Sequence, residues 1–185
     1  MKKKLLYIHG LGSDRNSRKF LNIKEYFGSQ FEYNCLEWND DSDIPSLLNE
    51  AEYWLNSGAP AQTVLIGDST GANFACQLRE KLKVKDIKSI LVLTSPLLDI
   101  AKRTRDVEFP QKLISHLWTI EDPADALIIA TRKDEVLDQT FLYENKFQNI
   151  ELVDVDDTHQ LLNFEKYVYH IANYIQSKSL KGPRA

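Results

Sequence analysis

The chain has 185 residues, 43% of them apolar and 27% charged, and 23 Lys and Arg against 27 Asp and Glu leave a formal net charge of −4. That composition excludes general disorder, and a chain this long buries roughly 70% of the surface its unfolded form exposes, so one domain over 1–185 completes a core without metal or disulfide. A pI near 5.6 argues against nucleic acid as a partner, because neutralising phosphates takes a surplus of Lys and Arg on one face.

Short β-rich apolar runs alternate with helical patterns, the signature of right-handed βαβ crossovers and a parallel sheet covered on both faces. The opening Met1-Lys2-Lys3-Lys4 mimics the basic head of a signal peptide, but the apolar run behind it is interrupted at His9-Gly10. It reads instead as the solvated lead-in to a strand over 4–8. A helix over 17–27 stops at Gly28. A strand over 31–38, a helix over 44–57 and a strand over 63–67 follow, then a helix over 71–82 and a strand over 87–94. The stretch 96–123 is longer than one short crossover needs, contains a helical pattern over 109–118, and holds Arg103, Arg105, His116 and Trp118. Two readings of it stand: a segment overhanging the strand ends, or an elongated crossover helix with a loop. Strands over 126–131 and 150–155 flank a helix over 139–146. The closing helix, over 164–177, carries Phe164, Val168, Ile171, Ala172 and Ile175 on one stripe, with Asn163 as its N-cap. Residues 179–185 read as a frayed tail.

No segment approaches the ~18 uninterrupted apolar residues of a membrane helix, so membrane insertion is not expected. Cys35 and Cys76 fall inside apolar patterns, as buried free thiols do. Their number and setting point to a reducing, cytoplasmic location.

The strand over 63–67 runs straight into Gly67-Asp68-Ser69-Thr70-Gly71, a G-x-S-x-G sequence opening a helix. Glycines two before and two after the serine allow a sharp strand-to-helix turn that lifts the hydroxyl clear of the sheet. Ser69 is the candidate nucleophile. A serine needs a histidine base and an orienting carboxylate, met in this arrangement in the order Ser, acid, His. Of four histidines, His9 precedes the serine, His116 precedes the best-placed acid and His170 sits within a helix, which leaves His159, after the last strand. Asp134 follows the strand over 126–131 and is the candidate acid, ahead of Glu135, Asp138 and Asp99. Two backbone amides are needed for an oxyanion, and Thr70 and Leu11 are the candidates, with His9 supporting the Leu11 loop. That loop makes a poor phosphate cradle, since neither glycine-rich phosphate motif is completed.

Three segments resemble the α/β-hydrolase superfamily and, within it, the small YqiA-like esterase family of bacteria. They are Tyr7-Ile8-His9-Gly10 with Ser13, Ser17 and Lys19; the elbow from Leu65 to Gly71; and the acid loop from Asp134 to Asp138, with His159 and Phe164-Glu165 falling where that family's histidine and closing helix begin. The likeness spans about residues 5–175. The chain departs from it in Ala72, where the family has a second glycine, and in Asp157-Thr158, where it has glycine before the histidine. The resemblance implies carboxylester hydrolysis without a cofactor.

The sequence is therefore read as a small α/β-hydrolase fold: six mostly parallel strands in the order 2-1-3-4-5-6, with helices on both faces. The crevice lies off the carboxyl ends of the first and third strands. The expected activity is that of a serine carboxylic ester hydrolase, its partner a small-molecule ester, short in the acyl chain because no large insertion forms a lid. Other classes share these residues: a thioesterase, amidase or peptidase, a non-catalytic interaction protein, or a nucleotide-binding protein. Asp156, Asp157 and His159 have metal-ligand chemistry but read as a solvated loop, so no metal is expected. Oligomeric state is left open.

Overall fold

A computed structural model describes residues 2–104 and 108–180. Its strands are β1 (Lys3–Ile8), β2 (Phe31–Leu36), β3 (Gln62–Asp68), β4 (Ile90–Thr94), β5 (Ala126–Ala130) and β6 (Glu151–Asp154). They form one sheet in the order β2-β1-β3-β4-β5-β6, and every neighbouring pair is parallel. The helices are α1 (Arg18–Phe27), α2 (Ile44–Asn56), α3 (Thr70–Val84), α4 (Gln111–Ile114), α5 (Thr140–Glu144) and α6 (Val168–Leu180).

A parallel strand covered on both sides needs apolar residues at every position, which is why the strand runs are continuous. Leu6 and Ile8 of β1, Leu65 of β3 and Leu91 and Leu93 of β4 pack with α2 and α3. Their alternates, Leu5, Tyr7, Val64, Ile66 and Val92, pack with α1 and α6 on the opposite face. Cys35 and Cys76 are free and buried. Among the described residues no helix is long and apolar enough to cross a membrane.

Several boundaries depart from the sequence reading. Among the described residues of 96–123 the regular pieces are a 3₁₀ turn, Ile100–Lys102, and α4. Two buried polar side chains of α3 hold the rest as loop: Asn73 donates to the carbonyls of Leu97 and Trp118, and Gln77 to that of His116. A longer helix would have to consume those carbonyls itself. β4 starts at Ile90 because α3 runs on to Val84 and Asp86 turns the chain at a φ of 56°. The closing pattern divides into a 3₁₀ turn, Phe164–Lys166, and α6. The Asn163 side chain does not cap it, because its Oδ1 accepts from Lys166 Nζ at 3.1 Å while its Nδ2 donates to Asp157 at 3.2 Å. α6 continues through Leu180, and the Ser179 hydroxyl bonds the Ile175 carbonyl at 2.7 Å, so the expected tail begins inside a helix. Residues 181–185 and Arg105 lie outside the described residues.

The join between β3 and α3 places the site. A Cβ on Gly67 would lie 2.5 Å from the Ala72 Cα, and one on Gly71 would overlap the carbonyl oxygens of Ile8 and His9. The first turn of α3 therefore rests directly on the end of β1. Gly71→Ala is expected to cost about 3 kcal/mol or more, the upper range for forced overpacking, read as a lower urea midpoint at unchanged slope. A wild-type midpoint would mean that β1 and this turn part freely.

Candidate active site

Ser69 sits between β3 and α3 with a φ of 50°, a left-handed conformation uncommon outside glycine. Three backbone bonds hold it there: its amide donates to Thr94 at 2.9 Å, and its carbonyl accepts from Ala72 and Leu97, each at 3.0 Å. The turn points Oγ at the imidazole of His159, 3.0 Å from Nε2. On the other side of the ring Nδ1 lies 2.8 Å from Asp134 Oδ2 and 3.0 Å from Oδ1. The three residues expected to converge do so.

The Asp134 side chain is 1% exposed. Its Oδ1 also accepts from the Val136 and Leu137 amides at 2.9 Å each, which fixes the carboxylate plane toward the ring. Burial alone would raise this carboxyl's pKa, but the His159 bond and charge and the two amides outweigh it and hold the pKa below the ordinary value. The rival acids serve elsewhere. Asp99 accepts from Ala101, Asp138 from Thr140, and Glu135 from the backbone amide of His159 at 3.0 Å.

The His159 loop is organised by Asp157, whose buried carboxylate accepts from the amides of Thr158, Leu162 and Asn163 at 2.8 to 2.9 Å and from the Tyr167 hydroxyl at 3.1 Å. Ser95 and Thr131 bond the carbonyls of His159 and Asp157 from the ends of β4 and β5. Arg18, at the start of α1, donates to the carbonyls of Gln160 and Leu161. The sequence alone places Asp157 in a solvated loop. The only signal for its role was an acidic side chain where the resembled family keeps glycine. Asp156 faces Lys133 instead, at 2.5 Å, so these two carboxylates do not converge with His159. Among the described residues no group of three or more His, Cys, Asp and Glu is arranged to hold a metal ion.

The loop after β1 closes the other side. The Cβ position of Gly10 would lie 3.1 Å from that of Ser69, and Leu11 and Thr70 line the same cavity as the serine. His9 braces this loop from beneath. It is 1% exposed and stacks on Trp38 with centroids 5.2 Å apart. Its Nε2 accepts from the Trp38 amide at 3.2 Å, so Nδ1 carries the proton and donates to the Gly10 carbonyl at 2.8 Å. Burial lowers its pKa, which keeps the ring neutral. A buried ion pair between Lys19 and Asp68, 2.5 Å apart, ties α1 to the residue before the serine.

The cavity has a volume of about 500 Å³. Leu11, Leu97, Phe109, Val136 and Leu137 give it an apolar wall, and Ser13, Ser17, Arg18 and Lys19 a polar one. The segment 96–123 thus contributes to the wall. Thr104 bonds Val136 and Asp138 bonds Lys102 through backbone at 2.9 and 2.7 Å, fastening the segment to the Asp134 loop. Neither cysteine is a rival nucleophile, since burial pushes both thiols up to about 12.

No protein-family model matches the chain, and no curated protein matches it either. Solved structures do. Est1E from Butyrivibrio proteoclasticus is similar with a TM-score of 0.70 at 15% identity, over 98% of this chain and 90% of that one. The type II thioesterase BorB from the borrelidin biosynthetic cluster gives 0.67 at 12%, over 95% and 92%. Alpha/beta hydrolase domain-containing protein 10 from mouse gives 0.68 at 12%, over 96% and 92%. At such identities the likeness establishes architecture: the chain has the α/β-hydrolase fold.

Asp157→Ala would leave several loop amides without a partner and is expected to lower stability by about 3 kcal/mol in urea unfolding. Burial opposes ionisation of this carboxyl, but the Asn163, Thr158 and Leu162 amides prevail and hold its pKa well below 3.8. A depressed carboxylate stabilises above its unfolded pKa, so the wild-type advantage over the variant is complete at neutral pH and shrinks as the pH falls below about 4. An advantage unchanged into strong acid would contradict this role.

Proposed function

We propose that the protein is a serine hydrolase that cleaves carboxylic esters of short-chain acids through an acyl-enzyme on Ser69. The observation that carries this reading is the unbroken chain from Ser69 Oγ through the His159 ring to Asp134, at 3.0 and 2.8 Å, opening into a cavity of about 500 Å³. That volume lies in the usual range for small-molecule sites. Fold neighbours whose names are esterase or thioesterase favour the same reaction class.

In the proposed cycle Asp134 accepts from Nδ1–H of His159, which leaves Nε2 with a lone pair toward Ser69. Oγ attacks the ester carbonyl carbon as its proton passes to Nε2. The carbonyl oxygen gains negative charge and is met by the Leu11 and Thr70 amides, the second at the head of α3, where the helix dipole also favours an anion. The tetrahedral adduct collapses, the C–O bond to the alcohol breaks, and Nε2–H protonates the departing oxygen. Water then enters, gives its proton to Nε2 and attacks the acyl carbon, and the second collapse returns the proton to Oγ and releases the acid. Every atom in this cycle comes from the ester, water and these groups. The acyl chain packs on Leu97, Phe109, Val136 and Leu137. The motifs at His9, Lys19 and Asp134 associate the chain with YqiA-like esterases, and its buried free thiols suit the reducing cytoplasm.

Turnover of a short 4-nitrophenyl ester tests the reading. Ser69→Ala should lower kcat/KM by as much as ~10⁶-fold and Asp134→Asn by on the order of 10⁴-fold, while urea midpoints stay near wild type. Residual activity near wild type in Ser69→Ala would reject it. A matched ester, thioester and amide panel ranks the acyl donors.

A further inference from the structure

The opposite rim of the sheet holds a second cavity, of about 520 Å³, where β3, β4 and β5 begin and between the end of α3 and α6. α3 begins beside Ser69 and ends here, so the two cavities lie about 22 Å apart, the length of fifteen helical residues. Arg79, Lys83, Lys88 and Lys178 line it against Asp86 and Asp125, a surplus of positive charge on a chain whose net charge is −4. Glu80 lies 3.2 Å from Arg79 and 2.8 Å from Lys83. Among the described residues Lys88 and Lys178 have no carboxylate partner.

A second observation is independent of charge. The described residues contain six buried side-chain oxygens without a hydrogen-bond partner, and three of them, Tyr174 OH, Ser89 Oγ and Gln62 Oε1, belong to residues lining this one cavity. Tyr174 is 3% exposed. Buried polar atoms are normally satisfied, so three orphans around one space mark a place where something else bonds them. The Lys178 ammonium lies 5.0 Å over the Tyr174 ring, which brings one of these cations beside the phenol.

We propose that this cavity binds a small phosphorylated, hydroxylated molecule. Lys88 and Lys178 meet the dianionic phosphate, Tyr174 and Ser89 donate to its oxygens, and Gln62 Oε1 accepts from a ligand hydroxyl. The site is separate from the Ser69 cavity and does not depend on what reaction occurs there.

Isothermal titration of the full chain carrying Ser69→Ala, with glycerol 3-phosphate and with inorganic phosphate as probes, tests it. One saturable site is expected, tighter for glycerol 3-phosphate than for phosphate. The double variant Lys88→Gln, Lys178→Gln should weaken it about tenfold or more, the effect of losing one good interaction. Tyr174→Phe should also weaken binding, yet without ligand it should not lower Tm, because it removes a hydroxyl that had no partner. The proposal is overturned if neither probe saturates at millimolar concentration, if both probes bind equally, if the variants bind like wild type, or if unliganded Tyr174→Phe melts lower.

Discussion

The first turn of α3 lies on the last carbonyls of β1 with no room for a side chain between them. A Cβ at Gly71 would collide with the Ile8 and His9 oxygens. This contact decides where everything else can go. It forces the sharp reversal that leaves Ser69 in a left-handed conformation, and it brings the β1 loop within van der Waals range of the serine. It also sets α3 with its amino end, the positive end of its dipole, toward the crevice. A parallel sheet gathers the loops after its strands on one rim, so those after β1, β3, β4, β5 and β6 all reach this turn. The Ser69 chemistry proposed above needs such crowding: backbone donors and a base have to surround one hydroxyl.

Loops brought together still have to be held, and here buried polar groups act where apolar packing cannot. Asp157 gathers the amides of its own loop, Arg18 reaches from α1 to that loop's carbonyls, and the Lys19–Asp68 pair joins α1 to the elbow. A buried ion pair gives little net stability, yet removing one partner strands the other charge, so it serves best as a tether. His9 has the same character: a neutral, stacked ring whose two nitrogens join the β1 loop to the chain after β2. α1 is thus fastened both to the His159 loop and to the residue before Ser69.

These two kinds of constraint explain what could be read from the sequence. The elbow was legible because its glycines, serine and apolar strand are contiguous, and steric demand acts over a few residues. The parallel sheet was legible because continuous apolar runs mean strands covered on both faces, and its order was what the resemblance to α/β hydrolases implied. Asp134 and His159 followed from strand ends and chain order. The length of α4 was not legible, since Asn73 and Gln77 decide it from a helix some forty residues earlier. Asp157 was hidden for a related reason, because an acidic loop residue looks the same in sequence whether it faces water or three amides. Four separate stretches of chain form the cavity on the far rim, and no local pattern announces it.

The central claim is that three side chains distant in sequence make one alcohol reactive. Intact-mass analysis after fluorophosphonate treatment tests it without a known substrate, applied to wild type, Ser69→Ala and His159→Ala. One adduct on wild type, none on the serine variant and sharply slowed labelling of the histidine variant is the predicted result. Wild-type protein that stays unmodified, or a serine variant that labels as fast as wild type, would contradict it.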